Sequence, residues 1–116
     1  MLEDKLVDGE QVVAVLTEEI GSWPGVRTAA HRFGGVEFLA GRREIGHVHS
    51  LPEGRSFADL PFPRGVRGEL IDAGRAREHH ALPDSGWLTV PIRTPADLRD
   101  AVEIFRMNLQ RPWTTR

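Results

Sequence analysis

The sequence predicts an α+β two-layer sandwich, with helices laid on an antiparallel sheet of about five strands in the order α-β-β-β-α-β-β-α. Three observations carry that expectation. Residues 36–40 and 43–49 alternate apolar and polar side chains about a tight Gly41-Arg42 connection, the pattern of a β-hairpin. A second pair of runs, residues 75–82 and 87–92, flanks Pro83-Asp84-Ser85-Gly86, where proline presets its dihedral and glycine accepts a positive one. Thr94-Pro95-Ala96-Asp97 then opens a regular apolar stripe of Leu98, Ala101, Val102, Phe105 and Leu109, and Pro112 closes it. Threonine there is a cap, proline suits the first turn, and the acid lies at the positive end of the helix dipole.

The remaining elements follow in order. Leu2, Leu6, Val12, Val13, Leu16 and Ile20 recur near helical spacing, which predicts a first helix. Gly9 interrupts the stripe, so the continuous part is expected from Asp8, with Asp8 and Gln11 as a capping pair and Gly21 and Pro24 as the stop. Residues 26–33, bounded by Pro24-Gly25 and Gly34-Gly35, read as a first strand running into the hairpin. Residues 51–56 read as a connection without periodicity. Asp59-Leu60-Pro61-Phe62-Pro63 reads as a rigid entry to a second helix, in which Val66, Leu70 and Ala73 share a face and Gly74 lies just past the end. Trp23 and Trp113 are expected to pack at edges. Short turns between successive strands favour antiparallel pairing, and the helices then lay their apolar stripes on one face.

Composition narrows the function classes. A length of 116 residues with 40% hydrophobic content fits a single α+β domain over residues 1–116 with one core. The chain has no cysteine, which removes disulfides and thiolate ligation from consideration. A formal charge of −2 opposes general nucleic-acid binding, whose affinity rests on a surplus of cations facing phosphates. No apolar run approaches the ~20 residues that cross a bilayer. The start, Met1-Leu2-Glu3-Asp4-Lys5, lacks the basic and apolar regions of a signal peptide, and the expected location is cytoplasmic.

The central hairpin concentrates chemistry. Side chains alternate across a pleat, so His47 and His49 are expected to share a face about 7 Å apart. His79 and His80 fall on a predicted strand where one of the pair points to any given face. His47, His49 and His80 could thus converge, and with Glu37 or Glu44 they make the nitrogen and oxygen donor set of Zn²⁺ or a related divalent ion. The metal-free alternative is acid–base chemistry, with Glu37 or Glu44 holding the tautomer of His47 or His49. Arg42 and Arg43 serve either as cross-strand partners of these acids or as an anion contact. Ser85 is explained by turn propensity rather than by a nucleophile elbow. Trp87, on the face opposite Leu88, Val90 and Ile92, is placed to wall a pocket. No flavin-binding pattern or other cofactor signature is present.

Gly35-Val36-Glu37-Phe38, Arg43-Glu44-Ile45-Gly46-His47-Val48-His49, Ala58-Asp59-Leu60-Pro61-Phe62, Gly74-Arg75 with His79-His80, and Pro83-Asp84-Ser85-Gly86-Trp87 together resemble the luciferase-domain family of small proteins. The likeness runs in order across residues 34–110, and its specific parts are Glu-Ile-Gly-His-x-His and Ser-Gly-Trp. The resemblance implies a site lined by Glu44, His47, His49, Asp59, His80, Ser85 and Trp87. In element order the chain also resembles the MmcQ/YjbR family, which implies a helix-flanked antiparallel sheet with a binding face.

The expected function is a small-ligand-binding domain. His47 and His49 act in it as acid–base groups or metal ligands, Glu44 as their orienting partner, and Arg42 or Arg43 as an anion contact. Trp87 is the apolar wall, and Glu37, Asp59, His80 and Ser85 are further contacts. The competing class is a non-catalytic interaction or homo-oligomerisation module, whose open sheet face meets a partner or a second copy. A third reading, hinted at by the family name, is a metal-dependent oxygenase.

Overall fold

The computed structural model describes residues 6–31, 34–51 and 54–112. Nine elements follow one another: α1 (Gly9–Gly21), β1 (Val26–Ala30), β2 (Val36–Ala40), β3 (Arg43–Ser50), β4 (Ser56–Pro61), α2 (Arg64–Asp72), β5 (Arg77–Glu78), β6 (Trp87–Ile92) and α3 (Pro95–Gln110). The strands form one sheet in the order β1-β2-β3-β4-β6-β5, and every neighbouring pair is antiparallel. This is the expected α+β architecture, with six strands.

One face of the sheet is dry. Phe38, Ile45, Val48, Ala58, Leu60, Leu88, Val90 and Ile92 meet Val12, Leu16 and Ile20 of α1 and Ala101, Ile104 and Phe105 of α3 in a single buried cluster. The stripe of α3 is fixed in phase by its start. Thr94 Oγ1 accepts from the backbone N–H of Asp97, and Asp97 accepts in return from the N–H of Thr94, which satisfies two helix-terminal donors. At the opposite end of the same helix, buried Asn108 donates from Nδ2 to the carbonyl of Ile45 at 2.7 Å, tying α3 to β3.

Several expectations are corrected. The first helix starts at Gly9 without a side-chain cap from Asp8; Leu6 precedes it and is 74% exposed, and Leu2 lies outside the described residues. The first strand ends at Ala30, and residues 32–33 of its expected range are outside the described part, as is Trp113. Residues 56–61, expected to be connection and helix entry, are the central strand β4, because Ala58 and Leu60 point into the core while Phe57 and Asp59 point to the other face. The strand expected over 75–82 contracts to Arg77–Glu78. The chain turns away there as the backbone N–H groups of Ala81 and Leu82 both donate to Nδ1 of His79, at 3.1 and 3.0 Å.

The hairpin of β2 and β3 carries one irregularity that matters for everything on its open face. Phe38 pairs with Gly46 but Leu39 pairs with Glu44, leaving Ile45 as an extra residue in β3. Such a β-bulge reverses the alternation of side chains beyond it. Ile45 and Val48 both enter the core, while Glu44 and His47 emerge together on the opposite face, where their side chains are hydrogen-bonded. Gly46 permits this by having no Cβ: one built there would lie 2.6 Å from Phe105 Cε1 and 2.8 Å from Leu60 Cγ.

Candidate functional site

The open face of the sheet is organised by register. Glu37 is paired with His47, His47 with Asp59, Asp59 with Thr89, and Thr89 with Arg77, a row that crosses five strands with its side chains on one side. His49 and Phe57 form the adjoining row. A cleft of about 820 Å³ lies over these rows, and all five histidines of the chain line it: His31, His47, His49, His79 and His80. Glu37, Glu44 and Asp59 add carboxylates, and Phe57, Leu82 and Trp87 add apolar wall. Gly35 brings the rim close, since a Cβ there would sit 2.0 Å from the Val48 carbonyl oxygen and its φ is +81°.

His47 is the fixed point. Its Nδ1 donates to Glu44 Oε2 at 2.5 Å, and its Nε2 faces Asp59 Oδ2 at 3.2 Å. Burial disfavours charge on this ring, yet the hydrogen bonds to Asp59 and Glu44, aided by their negative charge, raise its pKa to about 9. The ring is 8% exposed at the residue level and is held between His31, stacked on it at 4.0 Å, and Trp87 at 5.3 Å.

Asp59, 1% exposed, is the convergence point. Oδ1 accepts from Thr89 Oγ1 at 2.6 Å. Oδ2 is approached by three imidazole Nε2 atoms, those of His47 at 3.2 Å, His80 at 3.2 Å and His79 at 3.5 Å. Burial would push this carboxyl up, but hydrogen bonds from His47, Thr89 and His80 hold it down at about 2. Burial lowers His49 and His79 below the usual imidazole value, and the charge of neighbouring imidazoles adds to the effect. The cleft therefore sets the ionised Asp59 and a protonated His47 beside His49 and His79, which keep their lone pairs. Two sets of donor atoms lie within 4.8 Å of one another, His31/His47/His49 and Asp59/His79/His80, and a third set joins His31 to Glu37 and Glu44.

Of the residues expected at the site, Glu37, Glu44, His47, His49, Asp59, His80 and Trp87 all line this cleft. Arg42 and Arg43 do not; they are exposed in and beside the hairpin turn. Ser85 also stands apart, donating to the Leu82 carbonyl and accepting from the Trp87 N–H within its own turn. His79 and His80 were expected to diverge across a strand, but both lie beyond β5, and their rings stack at 4.2 Å with both facing Asp59. The sequence reading missed His31, Phe57 and Thr89. The alternation that placed Thr89 beside Trp87 was the available signal for the third. His31 follows the end of β1 and had no local pattern to mark it.

Among the described residues no helix is long and apolar enough to cross a membrane. No curated protein and no solved structure matches the chain. The family model described as Luciferase domain matches residues 42–108, a span that holds Glu44, His47, His49, Asp59, His79, His80 and Trp87 and leaves out His31 and Glu37. With more than half of its length matched, the chain belongs to the Luciferase domain family.

Proposed function

We propose that the cleft binds an elongated small organic acid, with an uncharged polar end among the imidazoles, its apolar body against Phe57, Leu82 and Trp87, and its carboxylate in the neighbouring arginine-bordered groove. The observation that carries this reading is the gathering of every histidine, three carboxylates and an apolar wall into one concavity of about 820 Å³, a size and mixture suited to a small molecule. Support for the acid group comes from a second groove of about 440 Å³ that shares Leu51, Phe57 and His80 with the cleft and is bordered by Arg55, Arg77 and Arg93. The first cleft carries an excess of carboxylates and the second an excess of guanidinium groups. An elongated ligand crossing Phe57 would match both.

The test is a titration of aliphatic and aromatic carboxylic acids against the alcohols of the same skeleton, followed by amide NMR shifts across the sheet. Acids are expected to perturb β3, β4 and β6 on the open face. Arg77→Ala is expected to weaken the acid by up to about fivefold, the upper end for one exposed charge contact, while leaving the alcohol unchanged. Failure of every acid and alcohol to perturb the cleft would refute the reading.

A further inference from the structure

We infer that the polar end of the cleft selects a hydroxyl group on the ligand, whose hydrogen is accepted by Glu37, so that the ligand class narrows from small organic acids to hydroxy acids with the hydroxyl remote from the carboxylate. The inference deepens the small-ligand reading and rests on it for the placement of an uncharged polar group among the imidazoles.

The donors and acceptors of the open face decide the choice. His47 uses both of its N–H groups within the protein, on Glu44 Oε2 at 2.5 Å and on Asp59 Oδ2 at 3.2 Å. His79 accepts the backbone N–H groups of Ala81 and Leu82 at Nδ1, so its own proton lies on Nε2, which faces Asp59 Oδ2 at 3.5 Å. His80 turns its Nε2 to the same oxygen at 3.2 Å. Asp59 is thereby supplied with donors, and Thr89 takes its other oxygen. His49 has no hydrogen bond at either ring nitrogen among the described residues, and burial keeps it neutral. A neutral imidazole gives one bond and accepts one. His49 therefore serves a donor or an acceptor equally and does not discriminate.

Glu37 does. It lines the cleft half-buried, and among the described residues its carboxylate holds no hydrogen bond or ion pair. One of its oxygens lies within 4.8 Å of an oxygen of Glu44, and Glu44 has already given Oε2 to His47. Ionised carboxylates accept and do not donate. A carbonyl, ether or carboxylate oxygen placed beside this pair meets charge of its own sign, and it displaces the water that solvates the acids without replacing the hydrogen bonds that water made. A hydroxyl replaces them. An ammonium would donate as well, but it would sit beside the imidazolium of His47, which Glu44 already holds. Glu37 is paired across the strands with His47, and Trp87 stands 5.3 Å from the His47 ring, which puts the apolar wall next to the acceptor.

The experiment titrates the full chain with hydroxy acids of aliphatic and aromatic skeleton, each beside its methyl ether, its amino analogue and the parent acid, and reads Kd from amide NMR shifts on β2, β3 and β4. The hydroxy acid is expected to bind at least about tenfold more tightly than its methyl ether or the parent acid, the yield of one hydrogen bond to a charged acceptor. Glu37→Met removes the acceptor at similar volume and is expected to bring hydroxy acid and ether within about twofold, while Glu37→Gln, which keeps a carbonyl oxygen, retains part of the preference. Arg77→Ala is expected to weaken hydroxy acid and ether alike and to leave their ratio unchanged. Ethers that bind as tightly as hydroxy acids, an amino analogue that binds more tightly than either, or a preference that survives Glu37→Met would overturn the hydroxyl contact, and acids that still bind would leave the carboxylate in the arginine groove standing. Alcohols that shift the cleft amides more strongly than their ethers while no acid does so would overturn the acid and keep the contact.

Discussion

Replacing Gly46 by alanine is the most informative single change, because it tests the packing that puts Glu44 and His47 on one face. The added Cβ would lie 2.6 Å from Phe105 Cε1, 2.8 Å from Leu60 Cγ and 2.9 Å from the backbone oxygen of Asp59, against an ordinary carbon contact of about 3.5–4.0 Å. Phe105 and Leu60 are fully buried and have nowhere to swing. The Asp59 oxygen belongs to the neighbouring strand β4, so relief requires separating β3 from β4. Overpacking of this kind costs about 1–3 kcal/mol, and the φ of +153° adds backbone strain for a residue with a Cβ. A total near 3 kcal/mol is a large share of the stability of an ordinary domain. At about 2.1 cal/mol/K of unfolding entropy per residue, it lowers Tm by about 12 °C. Urea denaturation should show a lower midpoint with an unchanged slope, and the proton shared by His47 and Glu44 should lose its downfield NMR resonance. A variant that melts within about 3 °C of the parent and keeps that resonance would refute the claim that Gly46 is required for the bulge.

Two further outcomes are expected. Asn108→Leu keeps the volume but strips the carbonyl of the bulged Ile45 of its donor, and should cost about 2 kcal/mol in urea, the desolvation of one buried acceptor; a neutral result would mean that the carbonyl has another partner. Thr94→Ala removes half of the reciprocal cap of α3 and should cost about 1 kcal/mol, with Thr94→Ser restoring most of it.

Elements whose local signals agree with their tertiary setting were legible in the sequence. β6 and α3 emerge with the expected bounds because alternation and stripe match the faces they bury. β4 did not, for a physical reason: it is a central strand that carries an aspartate at its middle and a proline at its end, both poor strand residues. Asp59 is accommodated by imidazoles on one oxygen and Thr89 on the other, partners brought from β3, β6 and the segment after β5. No window of sequence around residue 59 contains them. Glu44 was named beside His47 from their nearness in the hairpin, yet strict alternation assigns it to the opposite face, and only the bulge at Ile45, which leaves no periodic trace, returns it.

The failures of sequence logic are thus not scattered. A buried aspartate in a central strand, a glycine in the middle of β3 and a strand that stops where a histidine ring captures two backbone N–H groups each violate a local preference; the first and third line the same cleft, and the glycine permits the bulge that turns Glu44 toward it. Local rules are broken at a cost of stability, and concentration of that cost around one cavity is what selection for a site produces, since packing alone would favour an apolar residue at position 59. An Asp59→Leu replacement separates the two origins. If the aspartate serves the fold, the variant melts lower. If it serves the cleft, relief of the buried charge leaves the chain as stable as before or more so, while the amide shifts on titration with the acid are lost.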